Sequence, residues 1–269
     1  MFAVADMSQI YRAMPRGTFL FLSALVACVP ARAQSFLAPE PYGGNEAVKW
    51  FFEQELHFPA EALAANTEGA TVIGFTVQAD GSVIGMHVQQ ALRPDCDAEA
   101  LRLAKLVRWH SASVGGSALD KEYSLTVPFS TKKYKKAHNK QNNEARNYAA
   151  IPADASGQLY EGRELDTLAT PLIDRGLHGL PNYLGANLRY PEEAFRRDIQ
   201  GTVTIEFVVE NSGSVSNLRA VENLGGGCDE EAMRLIRSIT WRPAFRKGQR
   251  ARSVMKLDIQ FRLDQNKRP

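Results

Sequence analysis

The sequence predicts an α+β chain in which one small domain is written twice. Each copy runs helix, strand, strand, helix, strand around a small antiparallel sheet. Three observations predict it: an internal repeat, strand-period alternation in three runs of each copy, and a helix-period stripe before the last of those runs. An offset of 132 residues aligns Pro59–Phe129 with Pro191–Phe261 without a gap, and about 22 of the 71 positions are identical, far above chance. Pro59 falls on Pro191, Gly69 on Gly201, Gly81 on Gly213, Cys96 on Cys228, Asp97 on Asp229 and Trp109 on Trp241. The repeat bounds the copies at about 43–130 and 175–263.

The elements follow in order. Tyr190-Pro191 opens a helix through Ala194, Phe195 and Asp198, with proline in the first turn, where its missing N–H has no partner to lose. Val203, Ile205, Phe207 and Val209 alternate as a half-buried strand does, and Ile73, Phe75 and Val77 repeat the pattern. Asp80-Gly81 is a hairpin signal, and Ser212-Gly213 fills its place in the second copy. The returning strand carries Ile84, Met86 and Val88, or Leu218 and Ala220. Asp97 and Asp229 are placed to cap the next helix, with Glu99 and Glu231 in the first turn, where a carboxylate meets the positive end of the helix dipole. Ala232, Leu235, Ile236 and Ile239 follow at i, i+3, i+4, i+7, one apolar face. A last strand alternates through Tyr123, Leu125, Val127 and Phe129, or Met255, Leu257, Ile259 and Phe261. Two helices on one sheet face bury these stripes economically.

Outside the copies the sequence changes character. Of 269 residues 44% are hydrophobic and 23% charged, enough apolar surface to exclude disorder throughout. A net charge of +2 gives no bulk attraction to nucleic acid. Residues 1–33 form a secretory signal peptide: Arg12 and Arg16, an apolar run Thr18–Val29 too short to span a bilayer, then Pro30 and Ala31-Arg32-Ala33 before a cut at Gln34. A competing cut after Leu25-Val26-Ala27 would place a lipid on Cys28. Losing residues 1–33 leaves a formal net charge of zero. Residues 131–174 form a linker, basic from Thr131 through Lys132–Lys140 and then acidic at Glu161, Glu164 and Asp166. As a flexible coil it would span about 35–40 Å. Its basic run is either a solvated face or a contact for cell wall or another anionic surface.

At Tyr190-Pro191-Glu-Glu-Ala194, Gly201, Gly213-Ser-Val215, Asp229-Glu-Glu-Ala232, Trp241-Arg-Pro243-Ala244 and the strand to Phe261, the sequence resembles the TonB C-terminal domain family, here in tandem. The first copy is the more degenerate: Phe58 stands for the tyrosine and Ser111 for Pro243. The resemblance implies a periplasmic binding module of outer-membrane transport, in which an extended segment of a transporter adds to the open edge of the last strand. Carried over, that edge is Ser253–Leu263. Val254, Lys256, Asp258 and Gln260 lie opposite the core face as candidate selectivity contacts. Pro128 interrupts the same strand in the first copy and removes a ladder donor, which favours the second. The sequence departs from a full-length energy transducer in lacking a retained membrane helix and a long proline-rich arm.

Catalytic signatures are missing: there is no nucleophile elbow, P-loop, Cys-x-x-Cys or His-Glu-x-x-His. His57, His87, His110, His138 and His178 show no metal-ligand spacing, so no cofactor, metal or enzyme activity is expected. Gly225-Gly-Gly227 is a loop before the helix, or an anion cradle. Cys96 and Cys228 are either buried small residues or a bridge between the copies. Trp109 and Trp241 are core, or a stacking surface. The leading reading is an adaptor that binds an envelope protein. The alternative is a structural protein whose domains self-associate, as in a homodimer, or bind glycan.

Overall fold

The computed structural model describes residues 35–138 and 150–263. The signal segment with Cys28, and the linker residues 139–149 with Lys140, lie outside them. The first repeat runs β1 (Phe36–Leu37), β2 (Glu40–Pro41), α1 (Gly44–Glu55), α2 (Ala60–Ala64), β3 (Glu68–Val77), β4 (Val83–Gln90), α3 (Pro94–Leu106), β5 (Trp109–His110), β6 (Ala112–Val114), β7 (Ser117–Leu119) and β8 (Lys121–Ser130). Helix α4 (Thr131–His138) continues directly from β8. Then come β9 (Leu159–Tyr160), β10 (Thr170–Pro171), α5 (Leu180–Asn187), α6 (Glu192–Arg196), β11 (Gly201–Val209), β12 (Val215–Glu222), α7 (Cys228–Ser238), β13 (Trp241–Arg242), β14 (Ala244–Arg246) and β15 (Gln249–Phe261). The fold is α+β in two copies, as the periodicities predict. Each copy also carries a helix they do not predict, α1 in the first and α5 in the second.

The principal sheets are antiparallel, in the orders β4-β3-β8 and β12-β11-β15. Alternation sends Ile73, Phe75, Val77, Leu125, Val127 and Phe129 into one core, and Val203, Ile205, Phe207, Val209, Ile259 and Phe261 into the other. The amphipathic helices α3 and α7 close these cores with Ala100 and Leu103, and with Ala232, Leu235 and Ile236. Trp109 and Trp241 are 2% and 1% exposed, which settles them as core. Each hairpin glycine packs on its tryptophan: Gly213 has φ +89, and a Cβ there would stand 2.1 Å from the Trp241 carbonyl oxygen. Glycine is required on both counts.

One polar arrangement is repeated in both copies. Glu99 accepts the His57 backbone N–H at 2.7 Å and a two-pronged bond from Arg102 Nε and Nη2, and the same Nη2 donates to the Glu55 carbonyl at 2.7 Å. Glu231 does the same with the Arg189 N–H, Arg234 and the Asn187 carbonyl. These charged hydrogen bonds pin the end of the unpredicted helix to the amphipathic helix, α3 or α7.

Two expectations are corrected. Asp97 and Asp229 are not N-caps, since α3 begins at Pro94 and α7 at Cys228. They reach back instead: Asp97 accepts Leu92 N–H at 3.0 Å and Asp229 accepts Leu224 N–H at 2.9 Å, tying down the loop before each helix. The second correction concerns residues 150–174, which are not a flexible coil but lie on the second repeat. Ala153 bridges Arg250, β9 pairs parallel with β15 at Leu159↔Arg252 and Tyr160↔Ser253, and β10 pairs with β13. The physical reason is a buried anchor: Tyr160 is 3% exposed, donates to Asp154 at 2.7 Å and sits under the Arg246 guanidinium at 4.4 Å.

The repeats also pack on each other. Trp50 of α1 packs against the core of the second repeat. Ser212 and Ser214, in the second hairpin, donate to the Glu55 carboxylate. Asn217 clasps the end of α3 in both directions, donating to Leu106 O at 3.0 Å and accepting Arg108 N–H at 2.7 Å. Tyr42 lies between the guanidinium groups of Arg108 and Arg219, 5.0 and 4.9 Å from its ring centre.

Candidate partner-binding edge

Strand β15 is the longest of the fold, at 13 residues. One edge pairs with β11 from Ser253 to Phe261. The other edge is partly used: residues 152–154 bond Arg250 and β9 takes Arg252–Ser253. From Val254 to Phe261 no strand covers that outer edge among the described residues. A row of backbone N–H and C=O groups is thereby left available for another chain. The edge expected at Ser253–Leu263 thus begins one residue later, because Tyr160 holds Ser253.

Alternation across β15 turns Met255, Leu257, Ile259 and Phe261 to the core and the other set to the opposite face. Lys256, Asp258 and Gln260 are exposed there and Val254 is half-buried. The structure ties two of the four to β11: Lys256 Nζ lies 3.4 Å from Glu206, and Asp258 accepts the Thr204 hydroxyl at 2.8 Å. Glu206 also pairs with Arg219 at 2.8 Å and Arg108 at 3.5 Å. The face beside the edge is therefore a charge lattice continuous with the contact between repeats.

The root of the strand is fixed by a residue that sequence reasoning missed. Arg252 is 5% exposed and pairs with Glu210, 1% exposed, through Nε at 2.6 Å and Nη2 at 3.0 Å. Its remaining donors go to Gly157 O at 2.7 Å and Leu106 O at 3.2 Å. One side chain thus joins the edge strand, the segment before β9 and the first repeat. Ser216 donates to Glu210 and completes the pair's hydrogen bonding. The signal was available in the repeat itself: the counterparts of Arg252 and Glu210 are Asp120 and Gln78, a local loss of symmetry.

Beside this pair Glu55 is buried at the end of α1. Burial pushes its carboxyl pKa up, the neighbouring Glu210 charge adds to the rise, and the bonds from Ser212 and Ser214 and the Arg102 charge oppose it.

The remaining motif residues serve the fold around the edge. Tyr190 donates to Ile199 O at 2.6 Å and meets Phe261 edge-on at 5.8 Å, so it braces the end of β15. Pro191 precedes α6, Gly201 begins β11 and Pro243 separates β13 from β14. A Cβ on Gly201 would strike Leu224 at 2.8 Å. Gly225, Gly226 and Gly227 all hold positive φ and turn the chain into α7. Cys96 and Cys228 do not bridge the copies. Both are free, fully buried and in separate cores, which is the other of the two readings. Burial pushes the Cys96 thiol up to about 11 and raises Cys228 as well, so neither is a ready nucleophile. Among the described residues no group of histidine, cysteine, aspartate and glutamate could hold a metal ion.

The first repeat presents a comparable edge on β8, whose outer side no strand covers among the described residues. Pro128 lies exposed within it, opposite Ala70. At its end α4 carries Lys132, Lys133, Lys135 and Lys136, all exposed, with Thr131 held by Glu68 at 2.6 Å.

Residues 54–131 and 186–263 each match the family described as Gram-negative bacterial TonB protein C-terminal, and together they make up more than half of the chain. No significant match is found among curated proteins or among solved structures.

Proposed function

Because the chain belongs to the TonB C-terminal family, twice over, we propose that it is a periplasmic adaptor that takes up an extended segment of an envelope protein on the outer edge of β15. The observation that carries this reading is the uncovered edge at Val254–Phe261, on a strand whose root is locked by Arg252 and whose end is braced by Tyr190. Strand addition draws its affinity from main-chain hydrogen bonds and its selectivity from alternate side chains. Val254, Lys256, Asp258 and Gln260 are those side chains, and an outer-membrane transporter is the partner the family implies. The parallel pairing of β9 with the same edge supports the reading, since the chain already adds one short extended segment there. No helix of the described residues is long and apolar enough to cross a membrane. Export by the segment 1–33, with a lipid on Cys28 as its variant, completes the proposal.

Photocrosslinking from Gln260 in the full-length chain tests it. An adduct on an extended segment of an outer-membrane transporter, lost when Lys256 and Asp258 are both reversed in charge, is the expected result. Adducts confined to the chain itself would overturn it in favour of a self-associating structural protein.

A further inference from the structure

The groove that α1 fills in the second repeat stands open in the first. In the second repeat Val215 and Leu218 of β12 are buried in the core. Helix α1 lies across them: a Cβ on Gly43 would come within 2.8 Å of Leu218 O and 3.4 Å of the Arg237 guanidinium, Trp50 packs on the core beneath, and Glu55 receives the hairpin hydroxyls. Gly43, Ala47 and Trp50 form a stripe at i, i+4, i+7, apart from Val48, Phe51 and Phe52, which face the helix's own core. At the same offset in the first repeat, Val83 and Met86 are only half-buried. A cavity of about 420 Å³ lies there, lined by Tyr42, Asp80, Val83, Met86, Ala104 and Lys105. It is continuous with the contact between repeats, because Tyr42 serves both.

We propose that this groove takes one helix of a partner protein, laid over β4 as α1 is laid over β12. Its apolar stripe would cover Val83 and Met86, with a small residue where the strand approaches closely, as Gly43 does over Leu218. The ends are set by charge. Where Ser212 faces Glu55, the first repeat has Asp80, so the helix ends in a lysine or arginine. Where Arg237 meets the start of α1, it has Lys105, so the helix begins with an acidic residue. That polarity also suits the helix dipole. A second copy of this chain fits poorly: at the positions in and just before α5 equivalent to Ala47, Trp50 and Glu55 stand Gly179, Asn182 and Asn187, with no second apolar stripe. The site is separate from the β15 edge, and it stands or falls apart from the strand-addition reading.

A photocrosslinking residue at Met86 of the full-length chain tests it in cells, with Gln260 as the parallel probe. The expected adduct lies on one other protein, in a segment of helical periodicity with a basic residue at its end. Asp80→Lys cuts that adduct at least tenfold while leaving the thermal melt and the Gln260 adduct unchanged. A Met86 adduct on an extended segment or on another copy of the chain, an adduct indifferent to Asp80→Lys, or none at all would overturn the proposal.

Discussion

The two repeats agree where they fold and differ where they meet. Glu99 with Arg102 and Glu231 with Arg234 make the same bonds at the same places, and so do Asp97 and Asp229. The residues that join the repeats have no chemical counterpart: Glu55, Glu210, Asn217 and Arg252 correspond to Asn187, Gln78, Gly85 and Asp120. The duplicated domain thus keeps one set of polar residues to hold its own helices. A second set, present once, makes one body of two. An assembly of two identical domains would repeat the contact at every free face; this one cannot, because each face carries different chemistry.

Four measurements break or sharpen that comparison. Arg252→Ala leaves the Glu210 charge buried without its ion-pair partner and is expected to cost about 3–5 kcal/mol in urea unfolding, whereas Asp120→Ala removes one exposed bond and costs under about 1 kcal/mol. Equal costs would mean that the pair does not join the repeats. Trp109→Ala and Trp241→Ala should each cost about 3–5 kcal/mol, because both are core and equivalent. A large asymmetry in chemical denaturation would show that only one repeat holds the body together. Glu99→Gln and Glu231→Gln should lose about 1–3 kcal/mol apiece by weakening the same arginine bond. Unequal losses, read from melting curves at one pH, would count against a shared clamp.

The smallest effect is a slope. The raised pKa of Glu55 means the folded chain holds that proton more tightly than the unfolded chain does. Its contribution to stability is therefore present in acid, below the unfolded value, and is lost as pH rises through the folded one. Glu55→Gln is expected to match the natural chain at low pH and to exceed it at neutral and higher pH. A melting temperature that falls in parallel for both proteins across that range would contradict the assignment.

Much of this was legible from residues alone. The strands were, because each buries one face only, and period two survives in Val203–Val209 and Met255–Phe261. Helix α7 was, because its apolar residues form one stripe. Helix α1 was not, and the reason is physical: Ala47, Val48, Trp50, Phe51 and Phe52 cover more than half of its circumference, since it packs on both repeats, and a helix apolar on two sides has no single stripe to find. The candidate edge was legible as a strand, but its start was not, since the strand that takes Ser253 comes from a segment of unremarkable composition. The Arg252–Glu210 pair joins residues 42 apart and closes on Leu106, 146 residues away, beyond the reach of any local pattern.

The position of α1 in the chain has a consequence for how the protein is made. Its second apolar face, with Trp50, is covered by the second repeat, near residues 212–218 and Arg237, more than 150 positions downstream. A chain made from its N-terminus delivers α1 first and must carry that face uncovered until the second repeat has arrived and folded. Contacts of such sequence separation form late and slowly. The interval between the two arrivals is the stretch of its biogenesis most exposed to aggregation, and a chaperone that holds apolar helices would find its target at Ala47 and Trp50.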